Sequence, residues 1–165
     1  MSRPPYHPAA VALQAVLALA NETEREVAGK LGLNLTDYRA LSALSQSGPM
    51  TVGILAAELG ATAATTTAIV SRLESRGYAE RLRGEGDRRH VHVSATAAAS
   101  RDIMRLMRPL MDATNQHLES LPAARQDAVA DFLQAAQTLM KDHLHTLGRS
   151  RARGAMTVLL STVVT

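Results

Sequence analysis

The 165-residue sequence predicts a mainly α fold with a small two-stranded antiparallel ribbon, and three observations predict it. Alanine-rich segments with apolar residues at helical spacing fill most of the chain. Breaks at Gly32, Gly48-Pro49, Gly60 and Gly77 divide them into separate helices. Only Tyr78 to Arg83 and His90 to Ser94 read as strands, joined by the loop Gly84-Glu85-Gly86-Asp87-Arg88-Arg89.

Pro8 suits a first helical turn, and Leu13, Val16, Leu17, Ala20, Val27 and Leu31 recur at roughly helical spacing until Gly32. Thr36 is a candidate N-cap for a second helix, with Asp37 favourably placed in its first turn and Tyr38, Leu41 and Leu44 on one face. Thr51 caps a short third helix holding Leu55 and Leu59, and Gly60 closes it. A fourth helix, capped by Thr62, runs from about Ala63 to Arg76. Two short helices joined by a tight glycine turn form a helix-turn-helix signature, and the ribbon that follows makes it a winged one.

Ser94 or Thr96 begins a long fifth helix, with Ile103, Leu106, Met107, Leu110 and Met111 as its apolar stripe and Pro109 as a kink point. Pro122 starts a sixth, with Val129, Phe132, Leu133, Ala136, Leu139 and Met140 on one side. The three long helices carry more apolar surface than a small winged-helix core covers, which points to a helical dimer interface or an intramolecular bundle. Residues 1–147 are thus expected as one domain, with dimerisation helices at about 8–34 and 97–147 and a DNA-binding lobe at 35–96. Residues 148–165 differ in character, three arginines preceding a β-prone run, and are expected as a flexible C-terminal extension.

One Phe, three Tyr and no Trp leave the core to Leu, Val, Ile, Met and Ala. The absence of cysteine excludes disulfides, thiolate chemistry and cysteine-based zinc sites. No nucleophile–base pair, metal motif or phosphate-binding glycine loop suggests an enzyme or a cofactor. His90 and His92 share a strand face without a third ligand, and His143 and His145 diverge on a helix, so no metal is expected. The chain opens on a polar, proline-rich stretch and has no apolar run of membrane-spanning length, so a cytoplasmic location is expected.

The net charge of +3 is no evidence for nucleic acid, because residues 141–165 carry four basic and one acidic residue while residues 1–140 balance at fourteen of each. The regional pattern is more telling. Arg72, Arg76, Arg81, Arg83, Arg88 and Arg89 outnumber Glu74, Glu80, Glu85 and Asp87. On the fourth helix, Ile69 and Leu73 face inward with Thr62, Thr66 and Arg76 in their sector, while Ala63, Ala64, Thr67, Ala68 and Ser71 face outward. An outward face of Ala, Thr and Ser permits close approach to a flat partner, and its methyls and hydroxyls suit thymine methyls and phosphates. The plainer alternative is an alanine-rich helix in an alanine-rich protein.

These segments together resemble the multiple antibiotic resistance regulator (MarR) family over roughly residues 10–145. Leu33-Asn34-Leu35-Thr36-Asp37-Tyr38-Arg39-Ala40-Leu41 is similar to the start of the family's second helix, and Gly48 to Gly60 to its third. Thr65 to Tyr78 is similar to its recognition helix, and Asp87-Arg88-Arg89 followed by Ala95-Thr96 to its wing pattern. Three departures stand out: Ala68 where many members carry a basic residue, Ala95 in place of Leu, and Ala97-Ala98-Ala99 in place of an acidic pair and glycine.

The resemblance implies a homodimer joined through its first, fifth and sixth helices, binding double-stranded DNA at a near-palindromic operator. It also implies a regulator, often a repressor, released by a small-molecule inducer. The implied DNA-contacting set is Thr62, Ala63, Ala64, Thr65, Thr67, Ala68, Ser71, Arg72, Arg88 and Arg89. Arg72 could equally brace its helix, and Asp87 is expected to hold the wing by accepting hydrogen bonds. Tyr38 either borders a ligand pocket or sits in the core. The rival function is a winged-helix protein-interaction scaffold that does not bind DNA.

Overall fold

The computed structural model describes the backbone of residues 6–83 and 91–162, and the side chains of residues 6–82 and 91–148. In chain order the elements are α1 (Pro8–Lys30), α2 (Leu35–Ser47), β1 (Met50–Thr51), α3 (Val52–Leu59), α4 (Ala63–Ser75), β2 (Ala79–Arg83), β3 (Val91–Ala95), α5 (Ala97–Glu119) and α6 (Ala123–Thr162). They fall into two compact units, Met1–Pro109 and Leu110–Thr165.

Local chemistry sets most boundaries in the first unit. Pro8 occupies the first turn of α1, and the His7 ring accepts a hydrogen bond from the Ala9 amide at 3.1 Å. Thr51 and Thr62 cap α3 and α4 as expected, accepting from the amides of Ile54 and Thr65 at 3.3 and 3.2 Å. The second helix departs from expectation by two positions. Asn34, not Thr36, is its N-cap and accepts from the Asp37 amide at 2.8 Å. Asn is as good a cap as Thr or better, and starting the helix at Leu35 places Asp37 third in its first turn.

Between α3 and α4 the chain turns by 106°. Gly60 makes this possible with φ +61, its amide donating to the carbonyls of Ala56 and Ala57. A Cβ there would meet nothing within 4 Å, so the objection to a side chain is conformational alone. Gly60→Ala should therefore destabilise the protein by about 1–2 kcal/mol in urea unfolding, the strain of a left-handed alanine. An unchanged midpoint would show that the turn relaxes without loss.

The sheet has three strands in the order β1-β3-β2, all antiparallel. The expected ribbon is present, with Arg81 opposite Val93, and Met50–Thr51 adds a short edge by pairing Met50 with Val93 and Thr51 with His92. Two residues are too few for an alternating pattern to reveal them.

Leu41, Leu44, Leu55, Ile69, Val70, Leu73 and Val93 are fully buried, so α2, α3, α4 and the sheet share one apolar core. Ala40 is equally buried. Val27, Ala28 and Leu31 bring the C-terminal end of α1 into the core, and Ala99 and Ile103 bring in the start of α5. Thr66 is buried too, its hydroxyl donating to the Thr62 carbonyl at 2.9 Å.

The second unit comprises the end of α5 and the 40-residue α6. Phe132, Leu133, Leu139 and Leu144 are exposed on α6. The helix continues past Gly148, where a separate extension is expected from sequence. Among the described residues no single helix is long and apolar enough to cross a membrane; α3 and α4 qualify only as a bent pair, and Leu55, Ile69, Val70 and Leu73 from them are buried in the core.

Candidate nucleic-acid interface

Helix α4 has two chemically distinct sides. Thr66, Ile69, Val70 and Leu73 are buried, whereas Thr62, Ala63, Ala64, Thr65, Thr67, Ala68, Ser71, Arg72 and Ser75 are exposed. The helical wheel drawn from sequence gives most of this division; Val70 is an addition to the inner side, and Thr62 and Arg76, which the wheel sets in the inner sector at the two ends of the helix, are exposed.

Most polar groups on the exposed side are engaged within the helix. The Thr67 hydroxyl donates to the Ala63 carbonyl at 2.8 Å, and the Ser75 hydroxyl to the Arg72 carbonyl at 2.8 Å. The hydroxyls of Thr62 and Thr65 lie 2.9 Å apart in a mutual hydrogen bond. What remains is a low, methyl-rich surface near the helix N-terminus, with no long or acidic side chain from Thr62 to Ser71.

Arg72 is different. Its Nε donates to Asp37 Oδ2 at 2.9 Å and its Nη2 to Asp37 Oδ1 at 2.6 Å, a two-pronged fork onto a carboxylate whose side chain is 6% exposed. That hydrogen bond raises the Arg72 pKa further, against a smaller opposing effect of burial. One turn later, Arg76 donates through Nη1 to the Gly32 carbonyl. Tyr78 then donates its hydroxyl to the Leu31 carbonyl at 2.9 Å. Arg81 pairs with Glu74 at 3.1 Å, joining β2 to the end of α4.

Nothing in local sequence spacing announces the Arg72–Asp37 pair, because 35 positions separate the two residues. One signal was available. Asp37 stands four and seven residues before Leu41 and Leu44, at the head of an apolar stripe, and a carboxylate so placed requires a partner.

A cleft lined by Gly32, Leu33, Asn34, Asp37, Arg72, Ser75 and Arg76 measures about 170 Å³. That is smaller than the roughly 300–1,000 Å³ typical of small-molecule sites. Tyr38 is a core residue at 5% exposure. Burial raises its phenol above the usual 10.0, a hydrogen bond with Ser42 opposes this, and the Glu24 charge also raises it. A phenol harder to ionise in the folded state keeps its full contribution below about pH 10 and loses it as pH rises through the raised value. The melting temperature of Tyr38→Phe should therefore fall less steeply than that of the native protein between pH 9 and 11, roughly one unit either side of the free phenol. Parallel curves would contradict this.

Asp87, Arg88, Arg89 and His90 lie outside the described residues. His92 is half-buried on β3, and no group of three or more His, Cys, Asp or Glu fit to hold a metal occurs among the described residues.

Two short helices meeting near a right angle, a methyl-surfaced second helix and an antiparallel ribbon define a winged helix-turn-helix protein. The sequence profile of the MarR family matches residues 33–91. An uncharacterized HTH-type transcriptional regulator of Bacillus subtilis (strain 168), YcgE, is 32% identical over 117 residues, 71% of this chain and 76% of that protein. A MarR family protein from Bacillus stearothermophilus superimposes with a TM-score of 0.63 at 23% identity, over 82% of this chain and 99% of that one. NadR in complex with 4-hydroxyphenylacetate gives 0.56 at 18% identity, over 82% and 96%. The chain belongs to the MarR family. It is a transcriptional regulator, not an enzyme.

Proposed function

We infer that the protein is a homodimeric, ligand-responsive repressor that acts in the cytoplasm on a near-palindromic operator in double-stranded DNA. One observation carries the reading: the exposed side of α4 from Thr62 to Ser71 is free of long and acidic side chains, beside a helix N-terminus. Such a surface can lie against base edges in a major groove without displacing charged groups of its own. Thr62, Ala63, Ala64, Thr65, Thr67, Ala68 and Ser71 form the proposed groove contact. Arg88 and Arg89 are proposed as the wing contacts to the flanking minor groove, and Asp87 as the residue that would hold the wing by accepting hydrogen bonds.

Exposed Val16 and Leu19 on α1, Met111 on α5, and Leu139 and Leu144 on α6 supply apolar surface for the second copy. The bound aromatic acid in the structurally similar NadR supports an inducer of that chemical class. The inducer would act by favouring a dimer whose recognition helices are wrongly spaced.

Selection of bound fragments from random DNA tests this reading. Two half-sites about one helical turn apart are expected. With roughly three to five phosphate contacts per subunit, log K against log[salt] should have a slope of about −5 to −9. No enrichment, or a slope near zero, would favour the interaction-scaffold alternative. Arg89→Ala should weaken binding about tenfold at low salt while leaving the dimer intact, since it removes one wing contact per subunit. Unchanged affinity would take the wing out of the mechanism.

A further inference from the structure

We propose that Arg72 acts on DNA binding without touching DNA, as a positioning residue that sets the angle at which α4 is presented. This rests on the operator-binding reading above and adds a role for the Arg72–Asp37 pair within it.

The guanidinium extends from the exposed side of α4, yet two of its nitrogens are engaged by the carboxylate of Asp37. Asp37 is itself held firmly. It lies in the first turn of α2, its amide donates to the Asn34 side chain, and it is 4% exposed. A planar fork on a fixed carboxylate restricts rotation as well as distance, which a single hydrogen bond does not.

The pair is one of three attachments to the same short stretch. Arg76 reaches the Gly32 carbonyl and Tyr78 the Leu31 carbonyl, so three side chains from the last turns of α4 and just beyond it grip residues 31–37. That stretch is the turn between α1 and α2 together with the first residues of α2. Gly32 there has φ +67, and the Leu33 amide donates to the Ala28 carbonyl at 2.8 Å, which ties the turn to the end of α1. The N-terminal half of α4, which carries the proposed groove contacts, has no such side-chain attachment to α1 or α2 among the described residues. Buried Thr66 and Ile69 seat that half against the core, and the polar grip on the other end fixes the angle at which it is presented.

Electrostatics and positioning predict opposite signs for one substitution, which makes the proposal decisive to test. Asp37→Asn keeps the size of the side chain and removes a negative charge from the DNA-binding lobe. If Arg72 were a phosphate contact restrained by Asp37, the variant would bind DNA as tightly as the native protein or more so. Positioning predicts weaker binding, by about tenfold, with an unchanged salt slope. Arg72→Gln should show the same loss and the same slope, and the double variant should lose no more than Arg72→Gln alone.

The assay is the affinity of full-length protein for a selected operator fragment, measured over a salt series at a temperature where circular dichroism shows each variant folded. Equal or tighter binding by Asp37→Asn overturns the proposal. So does a fall in slope magnitude of about 0.9 per subunit for Arg72→Gln, the mark of a lost phosphate contact. Should either variant fail to fold, Arg72→Lys retains the charge but not the fork; its weakened binding supports positioning, and native affinity overturns it. Failure of the native protein to bind any fragment rejects the operator reading instead, so the two failures are distinct.

Discussion

Ala64→Glu should abolish operator binding while leaving the protein at least as stable as before. Ala64 is the second residue of α4, behind the Thr62 cap and the first-turn residue Ala63, and it is exposed. A carboxylate in that position faces the positive end of the helix, which stabilises by about 0.3–1 kcal/mol. The same carboxylate would point into a groove walled by phosphates. Like charges brought together at an interface cost several kcal/mol, so affinity should fall by about a hundredfold or more. Fluorescence anisotropy with a labelled operator and a thermal melt on one preparation read both effects. Ala64→Gln, with similar bulk and no charge, should fall between the two proteins. Native affinity in Ala64→Glu would mean that this side of α4 does not meet DNA.

Leu41→Ala should have the largest effect on stability. Leu41 has no exposed surface and lies on α2 within the apolar core that α3, α4 and the sheet share. Truncation removes apolar contact and leaves a cavity that rigid helices fill only partly, a loss of about 2–5 kcal/mol. In a chain of this length that corresponds to a melting temperature lower by roughly 4–20 °C. Leu139→Ala is the informative comparison, because Leu139 is 70% exposed in the single chain. It should cost little at low protein concentration. If Leu139 contributes to a dimer interface, its effect should grow as concentration rises and the native protein dimerises.

Where the fold was legible in the sequence, the signal was local. Thr51 and Thr62 stand just before apolar-periodic segments and cap them, while Gly60 and Gly77 take the positive φ that ends or follows a helix. The inner side of α4 follows from Ile69 and Leu73 at helical spacing. What escaped depends on partners distant in the chain. Met50–Thr51 becomes a strand only because β3 lies beside it. Asp37 reads as a helix-dipole residue until α4 folds across α2 and brings Arg72 to it. The candidate recognition surface was readable because it is defined by an absence of long side chains, which the residue types alone display. The posture of that surface was not, because its attachments run through backbone carbonyls of Leu31 and Gly32.

The chain contains no cysteine, so Ala68→Cys introduces a single attachment point on the exposed side of α4. Tethering an iron chelate there and triggering DNA cleavage on a selected operator tests most directly which surface meets the duplex. Two clusters of cuts about one helical turn apart, symmetric about the operator centre, are the expected result. Binding of the labelled protein with uniform cutting or none at all would contradict the assignment of α4 to the groove.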